Sequence, residues 1–179
     1  MSKYYLCKPD MTMIEEFYNY RLELIRTNSS SDGTNRIDCF DDMEEWYLDT
    51  KLYEKSDTCP PGMSIGFQYV YIDKDTNQIV GMIQLRPDAL NHPYLKRYGG
   101  HIGYSVLPSR RKQGIGNLML KQFLEIIKNE YKLDRVLITC FEDNEGSRKI
   151  ITNNGGIYEK SEFYAPDNKN IERYWIDIK

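Results

Sequence analysis

The stretch Ser105 to Leu120, SVLPSRRKQGIGNLML, holds residues whose types and spacing suit the binding of a diphosphate. An apolar run stops at Pro108, turns basic through Arg110, Arg111 and Lys112, and passes Gly114-Ile115-Gly116 into a helical pattern. Without a Cβ, Gly114 and Gly116 let the main chain approach a ligand and take dihedrals that other residues avoid. A helix start presents unpaired amides at the positive end of its dipole, so an anion is favoured there. Guanidinium groups just ahead of it can grip phosphate oxygens in pairs.

Spacing separates the phosphate motifs. A P-loop requires a Lys-Ser or Lys-Thr pair after its glycines, and none follows here. A dinucleotide fingerprint requires a third glycine where Met119 stands. What remains is R-x-x-G-x-G, read as Arg111, Gly114 and Gly116, entering a helix from a strand that ends in proline. An ordinary strand-to-helix turn would carry the same residues, so a second segment matters. Arg135 to Cys140, RVLITC, reads as a β-branched strand, and Phe141 to Arg148 leads on into a short helix that stops at Gly155-Gly156.

Together these segments resemble the GNAT N-acetyltransferase superfamily. Arg111, Gly114 and Gly116 match its acetyl-CoA pyrophosphate loop, and Asn144, Ser147, Gly155 and Gly156 match its N-x-x-[AS] helix and closing glycines in order and spacing. GHIGYSVLPSRRKQGIG, NEGSRKIITNNGG and the terminal RYWI are similar to a bacterial subgroup of predicted acetyltransferases, and the resemblance runs from near Asn77 to the end. It implies an α/β (α+β) fold: a mixed, mostly antiparallel central sheet flanked by helices, with the fourth and fifth strands splayed around the pantetheine arm of acetyl-CoA. By position, Ser105, Val106 and Leu107 would bond that arm through their main chain. Arg111, Lys112, Gln113, Gly114, Ile115, Gly116 and Asn117 would take the pyrophosphate. Asn144 and Ser147 would face the cofactor, although Asn144 is equally a good N-cap for its helix.

The catalytic positions depart from the family pattern. Attack of an amine on a thioester needs a neutral nucleophile, and an alkyl amine with a pKa of about 10.4 is mostly protonated at neutral pH. Many GNAT enzymes place a glutamate early in the fourth strand as base and a tyrosine seven residues after the helix-opening asparagine as acid. Here those positions are His101 and Ile151. Strand alternation puts His101, Gly103 and Ser105 on one face, with open space expected between two polar groups, so His101 is a candidate base and Ser105 a second catalytic candidate. A structural histidine at a strand start is the competing assignment. Tyr158 or Tyr164 could supply the missing acid, whereas Tyr104 is expected on the opposite face. Cys140 offers an acyl-enzyme route, but a strand cysteine is ordinarily an inert core residue.

The surrounding chain fits one catalytic domain over residues 1–179. Net charge is −3 with the signs mixed, which gives no argument for nucleic acid. No apolar run approaches membrane-span length and the N-terminus has no signal core, so a cytoplasmic enzyme without a membrane partner is expected. The four cysteines have no C-x-x-C spacing, so no metal is expected. Helices are read at Ile14–Ile25, from Asp41-Asp42 to about Tyr53 with Met43, Trp46, Tyr47 and Leu48 inward, and at Leu118–Ile127. Strands are read at Tyr4–Cys7, Gln68–Ile72, Ile79–Leu85, His101–Leu107, Ile157–Tyr164 and Ile171–Ile178. The resemblance places the acceptor over the loops Arg26–Phe40 and Ala165–Asn170. The first is acidic through Asp32 and Asp38 and continues to Asp41, Asp42, Glu44 and Glu45, which suits a cationic small amine or peptide acceptor. The expected activity is direct acetyl transfer from acetyl-CoA to a primary amine by a monomer or homodimer, the alternative being a non-catalytic acyl-CoA sensor or interaction module.

Overall fold

Thirteen residues after the first strand β1 (Tyr4–Cys7), counting to Tyr20, the chain is already committed to burying one helix face. In α1 (Ile14–Arg26) the residues Phe17, Tyr20 and Leu24 recur at helical spacing and are buried, while Glu15 and Glu16 occupy the first turn where the dipole favours acid. The computed structural model describes residues 2–178. Asp42 caps α2 (Met43–Leu52), its carboxylate accepting the Glu44 N–H at 2.8 Å. Met43 and Trp46 face inward as expected, but Leu48 is 59% exposed, so the buried face of α2 is narrower than the sequence implied.

The sheet follows: β2 (Phe67–Asp73), β3 (Gln78–Leu85), β4 (Ile102–Val106), β5 (Arg135–Phe141), β6 (Ile157–Tyr164) and β7 (Lys169–Asp177). Its order is β1-β2-β3-β4-β5-β7-β6. Every neighbouring pair is antiparallel except β4 and β5, which run parallel and pair only at Ile102 and Ile138. Beyond that point the two strands splay, as the fold expectation required.

Alternation along the strands divides the core into two layers. Val70 and Ile72 pack with Phe17, Tyr20, Leu24, Trp46 and Met82 beneath α1 and α2. Tyr69 and Tyr71 go the other way, joining Ile83, Met119, Leu120 and Phe123 under α3 (Ile115–Ile126), which starts three residues before the apolar repeat suggested. The helix α4 (Glu145–Asn153) lies on that same side and contributes fully buried Ile151. No helix among the described residues is long and apolar enough to cross a membrane.

One buried ion pair fixes the approach to α3. Asp73, with a fully buried side chain at the end of β2, holds Arg110 at 2.6 Å and Lys3 at 3.5 Å. Removing one partner of such a pair strands the other charge, so Arg110→Ala should lower unfolding free energy by about 3 kcal/mol in urea titrations. A stability equal to that of the parent would show that Lys3 alone suffices for Asp73.

Candidate active site

The loop before α3 is bracketed on both sides. The Ser109 N–H and hydroxyl donate to the Glu23 carboxylate of α1 at 2.8 and 3.0 Å, and Arg110 is spent on Asp73. Arg111 is exposed; its Nε donates to the Val106 carbonyl at 3.1 Å, which leaves its terminal nitrogens outward. Lys112 and Gly114 have positive φ, +59° and +77°, and Gly114 forms the N-cap of α3 without a capping side chain. The first amides of α3, at Ile115, Gly116 and Asn117, therefore lack a side-chain acceptor and border the cleft. The two glycines serve different ends. A Cβ on Gly114 would meet nothing within 4 Å, so its backbone angle is what requires glycine, whereas a Cβ on Gly116 would stand 2.6 Å from Ile150 Cδ1 and force that side chain to shift. Gln113 Nε2 donates to Ser109 O at 3.4 Å, and the Asn117 side chain accepts from Asn154 at 3.0 Å.

From this loop a cleft of about 980 Å³ runs along the gap between β4 and β5. The ladder register decides which main-chain groups face it. Leu107 N–H donates to Val80 O at 3.0 Å and Arg86 N–H to His101 O at 2.7 Å, so residues 103, 105 and 107 and the carbonyl of His101 bond toward β3. Tyr104 and Val106 turn their main-chain groups to the gap instead. This corrects the assignment of Ser105 and Leu107 as main-chain partners of a ligand there; of the three, Val106 alone faces the gap, with its carbonyl taken by Arg111 Nε. The Ser105 hydroxyl lies 3.0 Å from the Tyr20 hydroxyl on the α1 side and is buried, although Ser105 still forms part of the cleft wall.

Across the gap, the Tyr104 hydroxyl sits 2.7 Å from Ser147 Oγ, and burial pushes its pKa above the ordinary tyrosine range. Tyr104 does face away from Gly103, as alternation required, but that is the side on which α4 closes the cleft. Asn144 Oδ1 accepts the Ser147 N–H at 3.0 Å, so Asn144 acts as the N-cap while both residues line the cleft. Cys140 also lines it, with burial raising the thiol pKa to about 11.

His101 is 3% exposed and is not among the lining residues. Its Nδ1 accepts the Leu137 N–H at 2.9 Å, and its own main-chain N–H donates to Leu137 O at 2.7 Å. Burial, then the charge of Arg86, lowers its pKa to about 4. The space expected over Gly103 is filled: a Cβ there would lie 2.9 Å from Arg86 Nη2 and 3.1 Å from Gly33 N. Gly33, at φ +71°, rests so close on β4 that its own Cβ would fall 2.2 Å from Gly103 O, and Gln68 Nε2 holds its carbonyl at 2.9 Å.

The far end of the cleft is formed by Ser30, Asp32, Gly33, Arg86, Tyr94 and Tyr98. Of the acidic residues singled out in sequence, only Asp32 reaches it; Asp42 is a helix cap and Asp41 pairs with Arg21 at 2.6 Å. The loop 165–170 does not line it, Tyr158 is 53% exposed on β6, and Tyr164 stacks on Tyr94 and Tyr98 from behind. Sequence reading passed over Arg86, Tyr94 and Tyr98. A lone arginine ending the apolar strand Ile79–Leu85 was the available signal.

The sequence matches the family model described as Acetyltransferase (GNAT) domain over residues 34–157. No curated protein matches it. Among solved structures, the ribosomal-protein-S5-alanine acetyltransferase of Vibrio fischeri aligns with 100% of this chain and 95% of its own at TM-score 0.75 and 17% identity. An acetyltransferase of Salmonella typhimurium that modifies the N-terminal serine of ribosomal protein L7/L12 aligns with 100% and 97% at TM-score 0.69 and 17% identity. The microcin C7 self-immunity acetyltransferase MccE, solved with acetyl-CoA and AMP, aligns with 99% and 94% at TM-score 0.71 and 15% identity. At such identities the likeness shows the fold.

Protonating His101 would turn Nδ1 from an acceptor into a donor facing the Leu137 N–H. A pKa depressed in the folded state means that its stabilisation is complete above pH 6.5 and is lost as pH falls toward about 4. Unfolding free energy should drop by up to about 3 kcal/mol across that interval. His101→Asn keeps an acceptor without titrating there, and urea titrations should show it lacking this acid-side loss.

Proposed function

Because the chain belongs to the GNAT acetyltransferase family and is an acyltransferase, we propose that it moves an acetyl group from acetyl-CoA to a primary amine by direct attack. The observation that carries this is the continuity of the splayed β4/β5 gap with the uncapped amides of α3. The residues fit the cofactor: the open space at Gly114 lets a diphosphate reach the α3 amides, and Arg111 and Lys112 add cationic groups beside them. Acetyl-CoA supplies an acyl carbon already activated as a thioester.

The chain's own groups divide the remaining work. The main-chain groups of Tyr104 and of Val106, facing the gap, hold the amide-bearing arm. Asp32 receives the acceptor as an ammonium at the opposite end, and its proton leaves through water before the amine reacts. The Tyr104 O–H, supported by Ser147, hands a proton to the departing sulfur in place of the tyrosine missing at Ile151. His101 holds the strands at the mouth of the splay and is assigned no proton. A thiol raised to about 11 is a poor nucleophile at neutral pH, which argues against an acyl-enzyme on Cys140.

Two measurements test this reading. Gly114→Val, which forces a β-branched residue into a positive φ, should weaken CoA binding at least about tenfold by calorimetry while the protein stays folded; undiminished affinity would remove the pyrophosphate assignment. Cys140→Ala should retain turnover, and intact mass after acetyl-CoA alone should show no adduct on Cys140. An adduct discharged by added amine would establish the two-step route. CoA binding with no transfer to any amine would favour the sensor.

A further inference from the structure

Arg86 carries its charge into the far end of the cleft without a carboxylate in salt-bridge reach among the described residues. Its main-chain N–H is fixed on His101 O, so the side chain leaves from a rigid point. Nη2 donates to Gly99 O at 3.2 Å, and Nε is buried without a hydrogen-bond partner among the described residues. Arg21, Arg97, Arg110, Arg148 and Arg173 each hold a carboxylate oxygen at 3.0 Å or closer, but no carboxylate lies within 4.0 Å of Arg86 among the described residues. Burial lowers its pKa to about 10, which leaves it cationic at neutral pH, and Asp32 and Tyr94 are the groups that counter the loss. A buried cation is ordinarily paired, so the missing partner belongs to a ligand.

We propose that Arg86 receives a carboxylate of the acceptor, so that the molecule acetylated is of the amino-acid class, with its amine and carboxylate on one small frame. The proposal rests on the transferase reading above. A guanidinium fork matches a carboxylate bidentately, and it repels the second cation that a polyamine would bring. Asp32 at the same end supplies the opposite charge for the ammonium. Tyr94 and Tyr98, with ring centroids 5.7 Å apart, offer a wall for the acceptor's side chain. The guanidinium reaches β4 over Gly103 together with Gly33, whereas the groups of Tyr104 and Val106 face β5; the acceptor and the acyl donor thus have separate polar partners.

The full-length protein with acetyl-CoA is offered three sets: the standard amino acids, their α-carboxamides, and a panel of polyamines and N-terminal peptides. Acetylated products are read by mass, and binding of the first two sets to CoA-saturated protein is read by the shift in melting temperature. The acids should be acetylated at least about tenfold faster than the amides and should alone raise the melting temperature. Arg86→Gln should abolish that difference and Arg86→Lys should keep part of it. If Arg86→Gln does not fold, the acid-to-amide ratio of the parent chain decides. Equal use of amides, discrimination that survives in Arg86→Gln, or acetylation confined to the third set would overturn the proposal while leaving the transferase reading intact. No acetylation in any set, with CoA bound, would remove that reading and the proposal together.

Discussion

The architecture turns on a single parallel contact. β4 and β5 meet at Ile102 and Ile138, and His101 brackets the meeting point by bonding both main-chain groups of Leu137, one through its backbone and one through Nδ1. A parallel ladder would normally continue, because main-chain groups buried without partners are costly. Here the imidazole closes the end of the contact that precedes Ile102, and the strands part on its other side, toward Val106. The splay leaves the edge of β4 at Tyr104 and Val106 unpaired with β5, and Arg111 Nε takes the Val106 carbonyl in place of a strand partner. The histidine therefore belongs to the frame of the cleft, since an acceptor committed to a backbone N–H has no lone pair to offer a substrate at that atom.

Around this frame the arginines are divided between structure and site. Arg110 is consumed by Asp73, Arg148 by Glu172 at 2.7 Å, and Arg173 by Glu159 and by the carbonyl of Arg97 at 2.8 Å. Arg148 thereby ties α4 to β7, and Arg173 ties the segment that carries Tyr94 and Tyr98 to the same strand. Thr139 adds a bond from β5 to Tyr98 O at 2.6 Å. The walls of the cleft are thus held to the half of the sheet beyond the splay, while its floor belongs to β4. Arg110 and Arg111 line the cleft at one end and Arg86 at the other, and of these three only Arg110 holds a carboxylate among the described residues.

The strand-to-helix turn before α3 was legible in the sequence because it is local: the glycine at a helix entry, the preceding proline and the basic run all act within ten residues. The order of strands and the Asn144 cap were legible for the same reason. What failed needed long-range information. Alternation correctly put His101, Gly103 and Ser105 on one face, but whether that face is open depended on Gly33, seventy residues earlier in the chain and pressed on Gly103. Alternation also cannot say which residues of β4 bond toward β3; that parity is set by the register of the hairpin, and it turns the main-chain groups of Tyr104, not those of Ser105 and Leu107, toward β5. Gly116 was recognised as necessary for the wrong reason, since the pressure on it comes from Ile150 of a helix about thirty residues downstream.

The loss of tyrosine at position 151 becomes intelligible on the same grounds. Ile151 is fully buried, its Cγ2 only 2.4 Å from where a Cβ of Gly156 would stand, so the turn that ends α4 packs directly on it and position 151 faces the core. The Tyr104 hydroxyl stands on the opposite wall, on a strand whose backbone is fixed by β3, and its side chain is steadied by Ser147 at the start of α4. It is thus held from both sides of the gap at once, by the sheet that carries it and by the helix that bonds it.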